Sequence, residues 1–319
     1  MFKINSAYLL TCMALSLSAA AQTFPTKPIR LIVAFPPGGA TDTFARVTAT
    51  EMTRNIGQQV IVENRPGAGT TIAAEFVAKS AADGYTLLLT DRSTHAIMPS
   101  LYHKLGFNHA HDLVAVAPLS TSPFILVAHP SVGVNNAREL IALAKKSPGI
   151  TCGNSGIGTG THLSAVKFAS RAGIKFTAVN YKGGSTSTIS LLTGEIAMIV
   201  TTIPAALEHV RAKKLVAIGL TADKRIAALP DIPALGETVK GVDAAVIASV
   251  FAPANVPRAV IERLNAEIAK AVDAPKAREI FLINGAEALK LSPEAMQHAL
   301  EQDAKNWADL VKVTGIKLN

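Results

Sequence analysis

The stretch Ile29-Arg30-Leu31-Ile32-Val33-Ala34-Phe35-Pro36-Pro37-Gly38-Gly39-Ala40-Thr41-Asp42 carries the grammar of the whole chain. Residues 29–35 read as a nearly continuous apolar strand, the pattern of a strand covered on both faces in a parallel sheet. Two prolines and two glycines end it. A helix follows from about Thr43, with Phe44, Val47, Met52 and Ile56 at near-helical spacing and Gly57 as its stop. The same unit recurs: a short strand at 60–63, the turn Pro66-Gly67-Ala68-Gly69 opening a helix, the turn Asp83-Gly84, and a buried strand at 85–89. That is βαβαβ, with glycine-rich loops at the carboxyl ends of strands.

The pattern starts again near residue 124. Strands are expected at 124–128, 150–152, near Phe176, at 196–200 and at 215–220. Asn136 and Glu139 have capping-box spacing for a helix to Lys146. A glycine-rich loop, 153–160, precedes a helix at 161–172, and the turn Lys182-Gly183-Gly184 precedes another to Thr193. After the apolar run 246–252 only helices are expected, at 258–273, 275–284 and 292–313, the last with Ser292 as cap and Pro293 at its first position. Alternation of this kind specifies α/β with a largely parallel sheet. Two similar halves with a late helical return imply two lobes joined by two crossings, near 121–126 and 246–253. Lobe 1 is then 22–123 plus 252–319, and lobe 2 is 124–251.

Residues 1–21 read as a secretory signal: Lys3, an apolar run at 7–17, and the small residues Ser18-Ala19-Ala20-Ala21 ahead of cleavage before Gln22. The apolar run is about half the roughly 20 residues that a membrane-spanning helix needs. Cys12 lacks the small preceding residue that lipidation favours. Cleavage leaves Cys152 alone, so the exported chain, placed in the periplasm, holds no internal disulfide. The formal charge of +8 falls to +7 when Lys3 leaves. The basic residues are scattered singly or in pairs with few aromatics between them, which argues against nucleic acid and suits small anions.

Three loops carry the chemistry. In the first, Phe35, Pro36, Pro37, Gly38, Gly39, Thr41 and Asp42 surround a helix start, where unpaired amides and the positive dipole end favour an anion. A plain βα turn capped by Thr41 or Asp42 is the alternative. In the second, Asn154, Ser155, Gly156, Gly158, Thr159, Gly160 and Thr161 offer backbone and hydroxyl donors. Thr161 stands where a dinucleotide fingerprint needs glycine, and no Gly-Lys-Ser/Thr follows, so the loop is not a nucleotide site. The third is Thr90-Asp91-Arg92-Ser93-Thr94-His95. Arg92 there suits a bidentate carboxylate clamp or an ion pair with Asp91 or a neighbouring helix. Ser155 and His162 share a loop without a nucleophile elbow. His103, His109 and His111 lie in a polar, exposed-looking stretch without the Cys or carboxylate partners of a metal site. No catalytic group, metal or cofactor is expected.

Further motifs point to one family. Pro28-Ile29-Arg30 leading into Phe35–Asp42, Val62-Glu63-Asn64-Arg65-Pro66-Gly67-Ala68-Gly69, Asp83-Gly84-Tyr85-Thr86-Leu87-Leu88, Thr94-His95-Ala96-Ile97, Tyr181-Lys182-Gly183 and Leu229-Pro230-Asp231-Ile232-Pro233 fall in order along the chain. Together they resemble the Bug/TctC family, the solute receptors of tripartite tricarboxylate transporters. The resemblance implies a type II-like, two-lobed periplasmic binding protein that closes as a Venus flytrap on a small carboxylate. It implies that the first two loops grip carboxylate groups and that Ser93, Thr94, His95 and Tyr181 line the cleft. It implies as partners the membrane permease subunits of such a transporter; a sensor protein is the alternative. Three departures bear on the ligand. Thr201-Thr202 replaces an Asp-Asn common in relatives, which removes a counter-charge for an amino group. Val246-Ile247-Ala248-Ser249 replaces a stretch that often holds Trp, and Arg92 stands where relatives carry a small or amide residue.

Overall fold

The computed structural model describes residues 24–314 apart from 103, 104, 110, 148 and 182. The signal segment, Cys12 and His103 therefore lie outside the described residues. Three parallel strands, β1 (Ile29–Val33), β2 (Val60–Asn64) and β3 (Thr86–Asp91), are joined by helices α1 (Ala40–Ile56) and α2 (Thr71–Ala78). Helix α1 begins three residues earlier than its apolar spacing predicts. Gly57 ends it in a left-handed conformation (φ 69°) with its amide on Thr53 O, a geometry that glycine adopts without steric cost. The expected loop at 90–95 is instead the end of β3, through Asp91, and the first turn of α3 (Arg92–Leu101). Asp91 caps it by accepting from the Thr94 amide, a local bond that apolar periodicity does not reveal.

Two long antiparallel strands then build the frame. β4 (Leu113–Ala128) pairs with β9 (Ala245–Pro253) from Leu113↔Pro253 to Pro123↔Ala245, and β9 pairs with β3 as Asp91↔Ala248. The rest of β4, Phe124–Ala128, pairs on one side with β7 (Met198–Thr202) and on the other with β8 (Val216–Leu220). Parallel to β7 run β5 (Thr151–Asn154) and β6 (Thr177–Asn180). The chain thus leaves the first lobe along β4 and returns along β9. Thr221 ties the crossings together: its hydroxyl donates to Ala244 O at 2.6 Å and accepts from the Phe124 amide at 2.8 Å. A two-residue strand, β10 (Glu287–Ala288), which periodicity does not predict, borders β4 at Ser120–Thr121.

Each sheet is covered on both faces, as its near-continuous apolar strands require. In lobe 1, α1, α8 (Arg258–Asp273) and α9 (Pro275–Ile283) bury Phe44, Met52, Leu264, Ile268 and Phe281 against one face. On the other, α2, α3 and α10 (Pro293–Thr314) bury Ala73, Ile97, Met98, Met296 and Trp307 around Phe251. In lobe 2, α4 (Ala137–Lys146) and α5 (Gly160–Ala172) cover one face with Leu140 and Phe168. Helices α6 (Gly184–Leu192) and α7 (Ile203–Arg211) cover the other with Leu191, Ile203 and Leu207. Half of the predicted capping box forms: Asn136 Oδ1 accepts from the Glu139 amide, whereas the Glu139 carboxylate accepts from the Asn136 side-chain amide and from the Asn135 backbone amide instead of the Asn136 backbone amide.

The registers decide where a ligand would meet the fold. β3 ends against β9 at Ala248, with β1 on its other side, whereas Thr202 at the end of β7 sits opposite Phe124, the first residue of β4 that pairs within lobe 2. The carboxyl ends of both sets of parallel strands therefore converge on the crossings. In open α/β sheets that is where ligands bind.

Candidate functional site

Residues 36–39 of the first loop are exposed, whereas Thr41 and Asp42 are buried beneath them. Gly39 precedes α1 without any side-chain cap, and Gly38 takes φ +84°. Asp42 is neither the cap nor a free acid. It accepts from the Gly38 amide (3.0 Å), Asn64 Nδ2 (2.9 Å) and Arg46 Nε (3.0 Å), while Asn64 also donates to Phe35 O (3.0 Å). Burial alone would raise the Asp42 carboxyl, but the bonds from Arg46, Gly38 and Asn64 outweigh it and hold the pKa below its ordinary value. The acid closes the loop from within and holds the Gly38 amide inward.

The second loop is built the same way. Asn154 at the end of β5 accepts the Gly156 amide on Oδ1 and donates through Nδ2 to Asn180, each at 2.9 Å, linking the ends of β5 and β6. Ser155, Thr159 and Thr161 gather three hydroxyls, with Ser155 Oγ 2.7 Å and Thr159 Oγ1 3.0 Å from Thr161 Oγ1. His162 Nδ1 accepts from the Gly158 amide (3.1 Å), and burial lowers its pKa to about 4. The ring is therefore neutral with its proton on Nε2, a brace for the loop. Ser155 and His162 thus have separate partners and form no nucleophile–base pair. Thr159 precedes α5 with no side-chain cap bond.

Two further helix starts share this end of lobe 2. Gly183 (φ +127°) precedes α6 and Thr202 precedes α7, neither with a side-chain cap. Thr201 is buried, its Oγ1 3.6 Å from where a β-carbon on Gly184 would lie. Tyr181 donates its amide to Asn154 O (3.1 Å), and its buried hydroxyl has no hydrogen-bond partner among the described residues.

The third loop is a different object. Both oxygens of Asp91 are occupied: Oδ1 by the Ile247 amide (3.0 Å), Oδ2 by the amide (3.1 Å) and hydroxyl (2.8 Å) of Thr94. Desolvation raises the Asp91 pKa against those bonds. Arg92 is paired through Nε with Asp303 of α10 at 2.7 Å. Of the two roles the sequence left open, the structure shows the pairing with a neighbouring helix. His95 is placed in the lobe core, with ring centroids 4.5 Å from Phe251 and 4.2 Å from His109. Burial, followed by the charge of His109, pushes its pKa well below the ordinary value. His95 thus packs among core rings and does not line the groove described below. His109, expected to be exposed, is half-buried with Nε2 on His95 O at 2.7 Å. Among the described residues no cluster of His, Cys, Asp or Glu is arranged to hold a metal ion.

Arg92 and Ser93 face a groove of about 920 Å³, with Thr121 and Ile247 of the crossing strands, Lys167 and Arg171 of α5, and Asp303 and Trp307 of α10. None of the predicted residues of the first two loops, nor Tyr181 or Thr201, lines it. Lys167 and Arg171 lie 7 and 11 residues into α5 from Gly160, roughly 10 to 16 Å from the loop. The structure thus gathers Asn154–Thr161, Tyr181 and Thr201 at one end of lobe 2 and sets Arg92 and Ser93 on a separate groove. Asp303 and Asn180 escaped the sequence reading because nothing local marks them: Asp303 lies 211 positions from Arg92.

Residues 44–316 match the model of the tripartite tricarboxylate transporter family receptor. The chain belongs to that family. Its members are solute receptors, and the two-lobed fold described above is theirs. Protein BugT of Bordetella pertussis is 34% identical over 308 residues, covering 94% of this chain and 93% of its own. The periplasmic binding protein BugD superposes with a TM-score of 0.84 at 30% identity, over 92% of this chain and all of its own. An R. palustris protein solved with adipate gives a TM-score of 0.86 at 30% identity with the same coverage. This tripartite-transporter receptor thus keeps the family fold through both lobes.

Proposed function

We propose that the protein is a periplasmic receptor for a small carboxylate without an amino group, delivered to a tripartite tricarboxylate-type permease. The observation that carries this is the pattern of helix capping at the converging strand ends. Helices α1, α5, α6 and α7 start there without a side-chain cap, whereas α3 is closed by its own acid, Asp91. Open helix starts present unpaired amides and a positive dipole end, which suit oxyanions. The hydroxyls of Ser155, Thr159 and Thr161 add donors in the second loop. The adipate-bound relative supports the ligand class. Closure of lobe 1 (22–123 plus 252–319) on lobe 2 (124–251) would bury the ligand, and residues 1–21 would export the chain.

The acids near the loops support the exclusion of an amine. Asp42 accepts from three donors and so does Asp91, and position 201 is Thr. Among the described residues of these loops, both acids are therefore engaged and neither is free to balance an ammonium group.

Thermal shift and calorimetry with adipate and with the matched pairs succinate/aspartate and glutarate/glutamate test the reading. A ligand at 100 times its Kd stabilises by about 2.7 kcal/mol. The amine-free member of each pair should bind more tightly. Tighter binding of aspartate or glutamate would remove the specificity argument, and absence of binding across aliphatic and aromatic acids would remove the carboxylate reading.

A further inference from the structure

Helix α5 of lobe 2 lies directly on lobe 1. A β-carbon on Gly158 would collide with Cδ1 of Leu101 at the end of α3. One on Gly160 would lie 3.0 Å from Asp91 Oδ2 and 2.6 Å from Phe124 Cζ. One turn on, Leu163 is fully buried, and it packs into the lobe 1 cluster of Ile97, Met98, Leu101, Phe251 and Trp307 rather than into its own lobe's core. The contact therefore has three parts: a glycine flush on Leu101, a glycine flush on Asp91, and a leucine inserted behind them. Asp91 also holds the Ile247 amide of a crossing strand, while Leu101 lies about 14 Å further along α3. The contact thus runs outward from the crossings and does not sit wholly on them.

We propose that this contact is a closure latch between the lobes, holding the closed arrangement in the absence of ligand, with Gly158, Gly160 and Leu163 as its positioning residues. A side chain at 158 or 160 meets Leu101, Phe124 or Asp91, and Leu163 is packed in the lobe 1 cluster. Opening the lobes withdraws Leu163 from lobe 1. The inference deepens the receptor reading, because a chain held near its closed form captures ligand without losing affinity to a small competent fraction. A methyl group at position 158 must displace the Leu101 side chain, and overpacking a well-packed contact shifts an equilibrium by about tenfold.

The test is a distance between the lobes measured without ligand, so it stands whatever the chain binds. Spin labels are placed through Ile72→Cys on α2 and Ile189→Cys on α6, both exposed, while the native Cys152 is buried with its thiol pushed up to about 12 and stays unlabelled. The otherwise unaltered protein should give one short distance. Gly158→Ala should lengthen it, and adding Leu101→Ala should bring it back towards the short value. Gly158 has φ +76°, so strain alone would lengthen the distance without rescue by Leu101→Ala, an outcome that overturns the proposal. An unchanged distance in a folded Gly158→Ala protein overturns it as well. Leu163→Ala is the second variant should Gly158→Ala fold poorly: it should lengthen the distance too, and an unchanged distance there is equally fatal.

Discussion

Breaking the Arg92–Asp303 pair should destabilise lobe 1 far more than an average surface ion pair would. The side chains are only 11% and 23% exposed, with Nε–Oδ2 at 2.7 Å, and the pair joins α3 to α10 across 211 residues. Two charges about 4 Å apart attract by about 4 kcal/mol at an effective dielectric constant near 20. Desolvation of both groups offsets a large part of that. A coupling of about 1 to 3 kcal/mol should remain, against the 0 to 1 kcal/mol typical of exposed pairs. Arg92→Ala and Asp303→Ala should each cost about 2 to 3 kcal/mol, because each leaves a mostly buried charge without its partner. At about 2 to 4 °C per kcal/mol for a chain of this size, that is a fall in Tm of roughly 4 to 12 °C. The double variant should cost clearly less than the two singles together, and urea unfolding of all four proteins closes the cycle. A coupling below about 0.5 kcal/mol would refute the reasoning by showing that solvent already screens the pair. If Arg92→Ala instead lowered ligand affinity with stability unchanged, the carboxylate-clamp role would return.

Three further outcomes follow from the titratable groups and the first loop. His162 has a folded pKa of about 4, below the unfolded value near 6.5, so the unfolded chain takes up the proton first. Stability should therefore fall as pH drops from about 6.5 to 4, by roughly 3 kcal/mol from this group, and His162→Gln should flatten that limb of a urea-midpoint profile. Asp42, whose folded pKa is depressed, contributes stability that is present above about pH 4 and lost as pH falls through its lower folded value; Asp42→Asn should weaken acid sensitivity below pH 4 and cost about 1 to 3 kcal/mol at pH 7. Cys152, buried and with its thiol pushed up to about 12, should resist a thiol reagent at pH 8 in the native protein and react fully after unfolding; rapid native labelling would contradict the packing described.

The sequence by itself determined the features that depend on neighbours along the chain. Apolar runs ended by glycine and proline mark β1 and β5, Gly57 stops α1, and Asn136 with Glu139 starts α4, because each rests on contacts within about four residues. Two rounds of that grammar suffice for a two-lobed α/β fold, and the motif order suffices for the family. Tertiary structure alone decided what depends on approach between distant segments. Asp42 became an internal staple because Asn64, 22 residues away, reaches it. Arg92 became an ion-pair partner because α10 folds back onto α3. His95 lies in the core because Phe251 and His109 meet it there, and Gly158 and Gly160 matter less for their own turns than for Leu101 and Asp91 against which they lie. Backbone propensity acts over a few residues and writes itself into local composition, whereas side-chain contacts across the fold depend on register and helix docking, for which a single chain carries no local mark.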